Sequence, residues 1–253
     1  MKHKQKTIQL QISNMIVVFL LIGLLAGCTT ASRPAPSTGT PARHVSLSED
    51  QGWWRIRFRM DHADEEPHWE RDLLIAHRII APILTAHAQQ IHLWRFHRRS
   101  ADDETGHQFS FLFYSKATQA NLINRQVMEV PLLSRMLDHQ LVREVLVDQV
   151  DANPRPNIED TSDANWSPVM QVAWPHYIMG VSRMWLEMID QLSMQTGTAG
   201  PLDLDQMIDH YSTINVEVTK IWQKEAYHAL LHHLNAIYGY TPMIYWEKRL
   251  KAF

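Results

Sequence analysis

In the run Trp53–Met60 (WWRIRFRM), polar and apolar residues alternate strictly from Trp54 onward. Trp54, Ile56, Phe58 and Met60 fall on one side, and Trp53, Arg55, Arg57 and Arg59 on the other. That is the period of two expected of a strand with one face in a core. Ile91–His97 and Gln108–Ser115 are further strand-like runs, and the polar stretch RRSADDETGH between them predicts a hairpin. Apolar positions at Leu73, Leu74, Ile75, Ile79, Ile80, Ile83 and Leu84 predict a helix over 69–89, kinked or divided by Pro82. Strand, helix, strand, strand is half of a split βαβ arrangement. The expected fold class is therefore α+β, with a small antiparallel or mixed sheet (strands near 53–60, 91–97 and 108–115) packed with helices.

From Lys116 the pattern turns helical. One helix is expected over 116–129, with Ser115 as its N-cap. Pro131 suits the first position of the next helix, whose stripe runs through Leu132, Leu133, Met136, Leu137, Leu141, Val145 and Leu146. Residues 151–168, rich in Asn, Asp and Pro, predict a long irregular connection. Beyond it come a helix over 169–194 interrupted near Pro175, a short one over 203–211, a long one over 212–238, and a terminal one over 241–253. Trp and Met at helical spacing in this half belong to a core rather than to a cofactor site.

The N-terminus changes the picture. Lys2, Lys4 and Lys6 precede an apolar run of twelve residues, Met15–Ala26, too short to span a bilayer and suited to a signal peptide. Leu25-Ala26-Gly27-Cys28 closes it with the only cysteine in the chain. This tetrapeptide resembles a bacterial lipobox. The resemblance implies cleavage before Cys28, palmitate-type acylation of that residue, and a lipoprotein held on a membrane by its first mature residue. Thr29 stands where an Asp would favour inner-membrane retention, so the expected location is the outer membrane, facing the periplasm. Residues 28–48, mostly Pro, Ser, Thr, Ala and Gly, form the flexible tether. Residues 1–27 are then the signal peptide, and 49–253 a single globular domain.

Removing residues 1–27 takes three lysines and no acid from a chain with 24 basic and 27 acidic residues, leaving a net charge near −6. Together with export, that argues against nucleic acid as a partner. With Cys28 acylated, the domain contains neither a disulfide nor a cysteine nucleophile.

Two groups of residues carry candidate chemistry. The first is the face of Trp53, Arg55, Arg57 and Arg59, with Arg95 beside it. Guanidinium planes pair with carboxylate or phosphate and stack on aromatics, so this face suits a peptide, a glycan or an envelope-protein partner. The same residues also suit the solvated face of a two-layer sheet. The second group is Glu225, His228 and His232, at i, i+3 and i+7 of one helix face, the Glu-x-x-His spacing of di-iron bundles. It makes a transition metal the candidate cofactor, although surface or core histidines have the same pattern. A further cluster at Asp61, His62, Asp64, Glu65, Glu66 and His68 suits a solvated acidic loop.

Residues 79–84 (IIAPIL), 91–99 (IHLWRFHRR) and 106–115 (GHQFSFLFYS) resemble part of the C-terminal module of lantibiotic dehydratases and thiopeptide-type biosynthesis proteins. The likeness implies a peptide-handling α+β fold. It includes no catalytic motif and departs where those proteins have a His-Leu-Arg-Leu-Arg type strand. Zinc-protease, nucleophile-elbow, Ser-x-x-Lys, phosphate-loop and dinucleotide patterns do not occur. The leading expectation is a lipid-anchored, non-catalytic binding or assembly factor of the cell envelope. The alternative is a metal-dependent enzyme or metal carrier.

Overall fold

The computed structural model describes residues 51–60, 67–99, 106–151, 155–197 and 200–242. Cys28, the tether, the acidic cluster at 61–66 and the terminal helix expected over 241–253 (beyond 242) lie outside the described residues. The fold is α+β, as the alternation predicts. Strands β1 (Gln51–Met60), β2 (Leu93–Arg99), β3 (Gln108–Lys116) and β4 (Val142–Val147) form one antiparallel sheet in the order β2-β3-β1-β4. The sheet is not mixed, and it has a strand more than the sequence suggested.

One face of the sheet carries the main core. Trp54, Ile56, Phe58 and Met60 of β1 are fully buried there with Phe109, Phe111 and Phe113 of β3. Helix α1 (Trp69–Leu74), a π-helical segment (Ile75–Ile80) and α2 (Ala81–Ala86) form one continuous rod over this face. Pro82 falls directly after the π turn, so the rod changes hydrogen-bond register where it meets a residue with no N–H to donate. Helices α3 (Ala117–Met128) and α4 (Pro131–Asp138) complete the layer with Ile123, Val127, Leu133 and Met136.

Strand β4 corrects the helix expected to run from Pro131 through Leu146. Helix α4 stops at Asp138, where Gln140 takes a left-handed conformation (φ 57°) and Leu141 N–H reaches back to the Met136 carbonyl at 2.9 Å. This is the geometry of a glycine C-cap made without glycine. Val142 then turns into the core and β4 pairs with β1. Ser115 is likewise not the cap of α3. Lys116 holds that position, and the Ser115 hydroxyl donates to the Lys116 carbonyl at 3.2 Å.

Helix α5 runs unbroken from Pro168 to Gln195 with Pro175 inside it, against the interruption expected there. The missing N–H of Pro175 orphans the Gln171 carbonyl four residues earlier. Ser162 satisfies that carbonyl, its hydroxyl donating at 2.7 Å. The helix crosses the exposed edge of the sheet. The Ser182 hydroxyl accepts the edge amide of Phe96 at 3.1 Å, and beyond it Trp185 and Ile189 enter the main core. An edge strand is thereby closed to other chains.

Helix α6 (Leu204–Ala226), a second π-helical segment (Tyr227–His232) and α7 (His233–Ile237) also form one rod. The separate helix expected over 203–211 does not exist, because no residue near 211 breaks the pattern. Among the described residues, no helix is long and apolar enough to cross a membrane.

Two outcomes test these readings. Ser162→Ala is expected to destabilise by about 1–2 kcal/mol. The same change in a Pro175→Ala background, where the helix supplies its own donor, should cost far less, which chemical denaturation of the four-member cycle measures. Gln140→Gly should raise stability by about 0.5–1 kcal/mol by relieving the left-handed backbone, read from the denaturation midpoint.

Candidate functional site

The second face of the sheet is where the sequence-predicted arginines stand. The register places Arg55 and Arg95 on either side of Leu112, Arg57 and His97 on either side of Ser110, and Arg59 and Arg99 on either side of Gln108. Side chains of β2 and β1 therefore flank the small and polar residues of β3, and Ser110 and Gln108 are buried between them. This face is not simply solvated, contrary to the plainer reading of the alternation. Trp53, Leu93, Leu112 and Tyr114 form a second, smaller apolar cluster there, against which Ile158 and Met179 pack.

The connection at 155–161 closes one end of the face. Trp53 N–H donates to the Arg155 carbonyl at 2.9 Å, the Trp53 indole to Ile158 at 2.8 Å, and the Tyr114 hydroxyl to Pro156 at 2.8 Å. The polar residues of this connection cap its own backbone. Asp160 accepts from Asn157 N–H at 2.7 Å and Asp163 from Asn165 N–H at 2.8 Å. The N-terminal half of α5 lies alongside, with Trp174 under the Arg95 guanidinium at 4.9 Å.

Carboxylates on β4 and just past it meet part of this row. Asp148, just past β4, meets Arg155 directly and lies 3.9 and 3.8 Å from Arg55 and Arg57, while Arg59 donates to Glu144 at 2.6 Å. That bond holds the Glu144 carboxyl below the usual carboxylate range. Arg55, Arg57, Arg59 and Arg95 each have a buried Nε–H with no hydrogen-bond acceptor among the described residues. Burial pushes Arg95 down to about 10, helped by repulsion from Arg155 and Arg55. Arg55 is lowered by burial and by Arg99, and Arg57 by burial and then by Arg55 and Arg59 on either side. Arg155 is lowered by burial, Arg55 and Arg57. Arg55, Arg57, Arg59 and Arg95 are thus partly buried, close to like charges and without an Nε acceptor among the described residues. The set suits an anion with planar oxygen pairs, a carboxylate or phosphate, which would supply both charge and acceptors.

Trp53, Arg55, Arg57 and Arg59 are thus brought together, and Arg95 with them. Arg99 was legible in the same alternation, through Arg95, His97 and Arg99 of β2. Arg155 and Asp148 were not, since they come from loops that only the fold folds back.

Glu225, His228 and His232 lie on the second rod. The rings of His228 and His232 stack at 5.2 Å and His233 is equally close to His228. Glu225 does not join them, and no group of three or more His, Cys, Asp or Glu among the described residues is placed to hold a metal ion.

Two polar clusters were not foreseen. Asp72, fully buried on α1, accepts from Arg98 at 2.7 Å and meets His107 at 3.0 Å. Arg98 also stacks on Trp69 and Trp185. The carboxylate is satisfied from two sides and fastens α1 to the ends of β2 and β3. His77, in the middle of the first π segment, bridges the Tyr211 hydroxyl at 2.6 Å and Asp190 at 3.0 Å. A groove of about 760 Å³ adjoins it, bounded by Leu84, Ile91, Trp94, Met179 and Leu186. Both ring nitrogens are engaged and Tyr211 is buried, so the trio ties α5 and α6 to the first rod rather than presenting a reactive atom.

Compared with protein-family models, curated proteins and solved structures, the chain matches none. The partial likeness of residues 79–115 to the dehydratase module is not extended by any of them.

Burial pushes Tyr211 up to about 12, and does the same to Tyr114. An unfolded tyrosine ionises near ~10, so the unfolded chain releases these protons first. The stability they contribute is complete below about pH 10 and is lost between about 10 and 12. Tyr211→Phe should flatten that alkaline slope by up to about 1.4 kcal/mol per pH unit, measured by urea unfolding across the window.

Proposed function

We propose that the protein is a lipid-anchored, periplasm-facing binding or assembly accessory of the cell envelope, acting without catalysis, and that its arginine-lined sheet face receives an anionic partner. The observation that carries the reading is the row of buried guanidinium Nε–H groups lacking acceptors. A row serving only as structure would be matched by carboxylates, since an unpaired buried donor costs about 1–3 kcal/mol. The lipobox-like N-terminus supports the location. Acidic peptide segments, acidic glycans and phosphorylated groups share the required chemistry.

The test uses two probes, a short polyglutamate peptide and polyphosphate, titrated calorimetrically at low and high salt. Salt-sensitive binding of at least one is expected. Changing Arg55, Arg57 and Arg59 together to Ser should weaken it by about tenfold or more, because each charge-assisted hydrogen bond contributes about 1.5–3 kcal/mol. Arg57→Met should weaken binding and at the same time raise the unfolding midpoint, since it relieves repulsion between neighbouring guanidiniums. Affinity unchanged in the triple variant, or a loss of stability in Arg57→Met, would remove this face as the site.

A further inference from the structure

The sheet has two outer edges. On β2 the edge amide of Phe96 is taken by Ser182 of α5. Strand β4 holds the other edge. Asp148 N–H donates to the Arg55 carbonyl at 3.0 Å, and the register continues with Leu146 opposite Arg57. Antiparallel strands exchange hydrogen bonds at every second residue. Leu146 and Asp148 therefore direct their backbone groups to β1, and Val145 and Val147 turn theirs outward. No hydrogen bond among the described residues reaches those outward groups. Proline, lysine or an inward-pointing charge usually blunts such an edge, and Val145-Leu146-Val147 supplies none of them.

The side chains of Val145 and Val147 share the core face with Phe58 and Ile56, which stand opposite them. Beside Val147, a cavity of about 320 Å³ opens between the end of β4 and α3, lined also by Asn121, Asn124, Met128, Gln149 and Val150. Asn124 is 8 % exposed, and its amide oxygen is sealed from water with no hydrogen-bond partner among the described residues. A buried acceptor is seldom left so. A half-turn of the amide exchanges its oxygen and nitrogen, so either end can be offered to the cavity.

We propose that the outer edge of β4 takes up an extended segment of another polypeptide as a fifth strand, with an asparagine or glutamine opposite Val147 entering the cavity. The chemistry decides the kind of partner. Outward N–H and C=O groups at two-residue spacing are matched by extended backbone, and not by a lipid, a glycan or a helix. An incoming amide both donates and accepts, as the amides of Asn121, Asn124 and Gln149 require. The edge faces away from β1, so the proposal depends neither on the arginine face nor on lipidation. A second copy of this chain fits less well. The matching edge it offers is its own β4, because α5 covers β2. Centred on Val145, such a pairing brings Arg143 to a cavity that Arg125 already lines. Centred on Leu146 or Val147, it brings only a valine. Centred on Asp148, it delivers Gln149 but sets Asp148 opposite its own counterpart, and like charges so placed are destabilising.

The test uses the full chain and a displayed library of ten-residue peptides in which valine, isoleucine or threonine alternates with every residue type. Enriched peptides should carry asparagine or glutamine at one place in the alternation. Their affinity, read by fluorescence anisotropy, should fall about tenfold or more when one alternate set of backbone amides is N-methylated. Methylating the other set should change it little, since an added strand pairs along one side only. Val147→Pro removes an outward N–H and no bond to β1, so it should weaken the same peptides about tenfold at an unchanged unfolding midpoint. Asn124→Leu should abolish the preference for asparagine and glutamine and raise that midpoint, because it removes the orphaned acceptor. No enrichment, or enriched peptides indifferent to Val147→Pro and to both methylation patterns, overturns the proposal. A dimer of the chain alone in sedimentation, dissociated by Val147→Pro, gives the edge to a second copy and also overturns it. A Val147→Pro chain that does not fold leaves the decision to the methylated peptides.

Discussion

Strand β1 is hydrogen-bonded on both sides, to β3 and to β4, so its strict alternation decides what each layer of the protein must be. One set of side chains, Trp54 to Met60, is wholly apolar and requires a deep core, which the first rod, α3 and α4 provide. The other set begins with a tryptophan and continues with three arginines. Trp53 needs cover and finds it beneath the 155–161 connection. The arginines cannot be sealed without acids that the neighbouring strands mostly lack. The second layer is therefore partial by necessity, closed at the tryptophan end and open along the arginines.

Helix α5 reconciles the two layers. Its first half lies on the arginine side, with Trp174 against Arg95, and its second half belongs to the main core, with Trp185 against Phe96. The crossing occurs at the edge of β2, where the Ser182 hydroxyl takes an edge amide. Seven residues before that crossing lies Pro175, and the orphaned Gln171 carbonyl is satisfied by Ser162 from the loop that closes the second layer. A helix, an edge strand and a connection are thus coupled through two serine hydroxyls.

Much of this was legible. The strands β1 and β3, the hairpin, the helix start at Pro131 and the arginine face all follow from local periodicity, because each lies in a segment with a single consistent period. Legibility failed where backbone geometry and distant partners decide. Gln140 ends α4 in a conformation usually left to glycine, so nothing in the sequence announced β4, and Val145 and Leu146 satisfied a helical stripe equally well. Pro175 looked like a break because its rescuer lies thirteen residues away in an irregular loop. The bridge through His77 joins residues more than a hundred positions apart, and no spacing rule reaches that far.

Charge is distributed in a way that gives the open face a direction. The mature chain would be acidic overall, yet one sheet face gathers Arg55, Arg57, Arg59, Arg95 and Arg99, with Arg155 beside them. A net-negative protein repels anions at long range, so an anionic partner is admitted only where the local field reverses. Burial of the guanidinium stems lowers the dielectric there and strengthens that reversal at short range. The same burial makes the row costly when unpaired. Under the proposed reading, affinity and strain at this face would have one origin, and a partner that supplied acceptors would remove the strain.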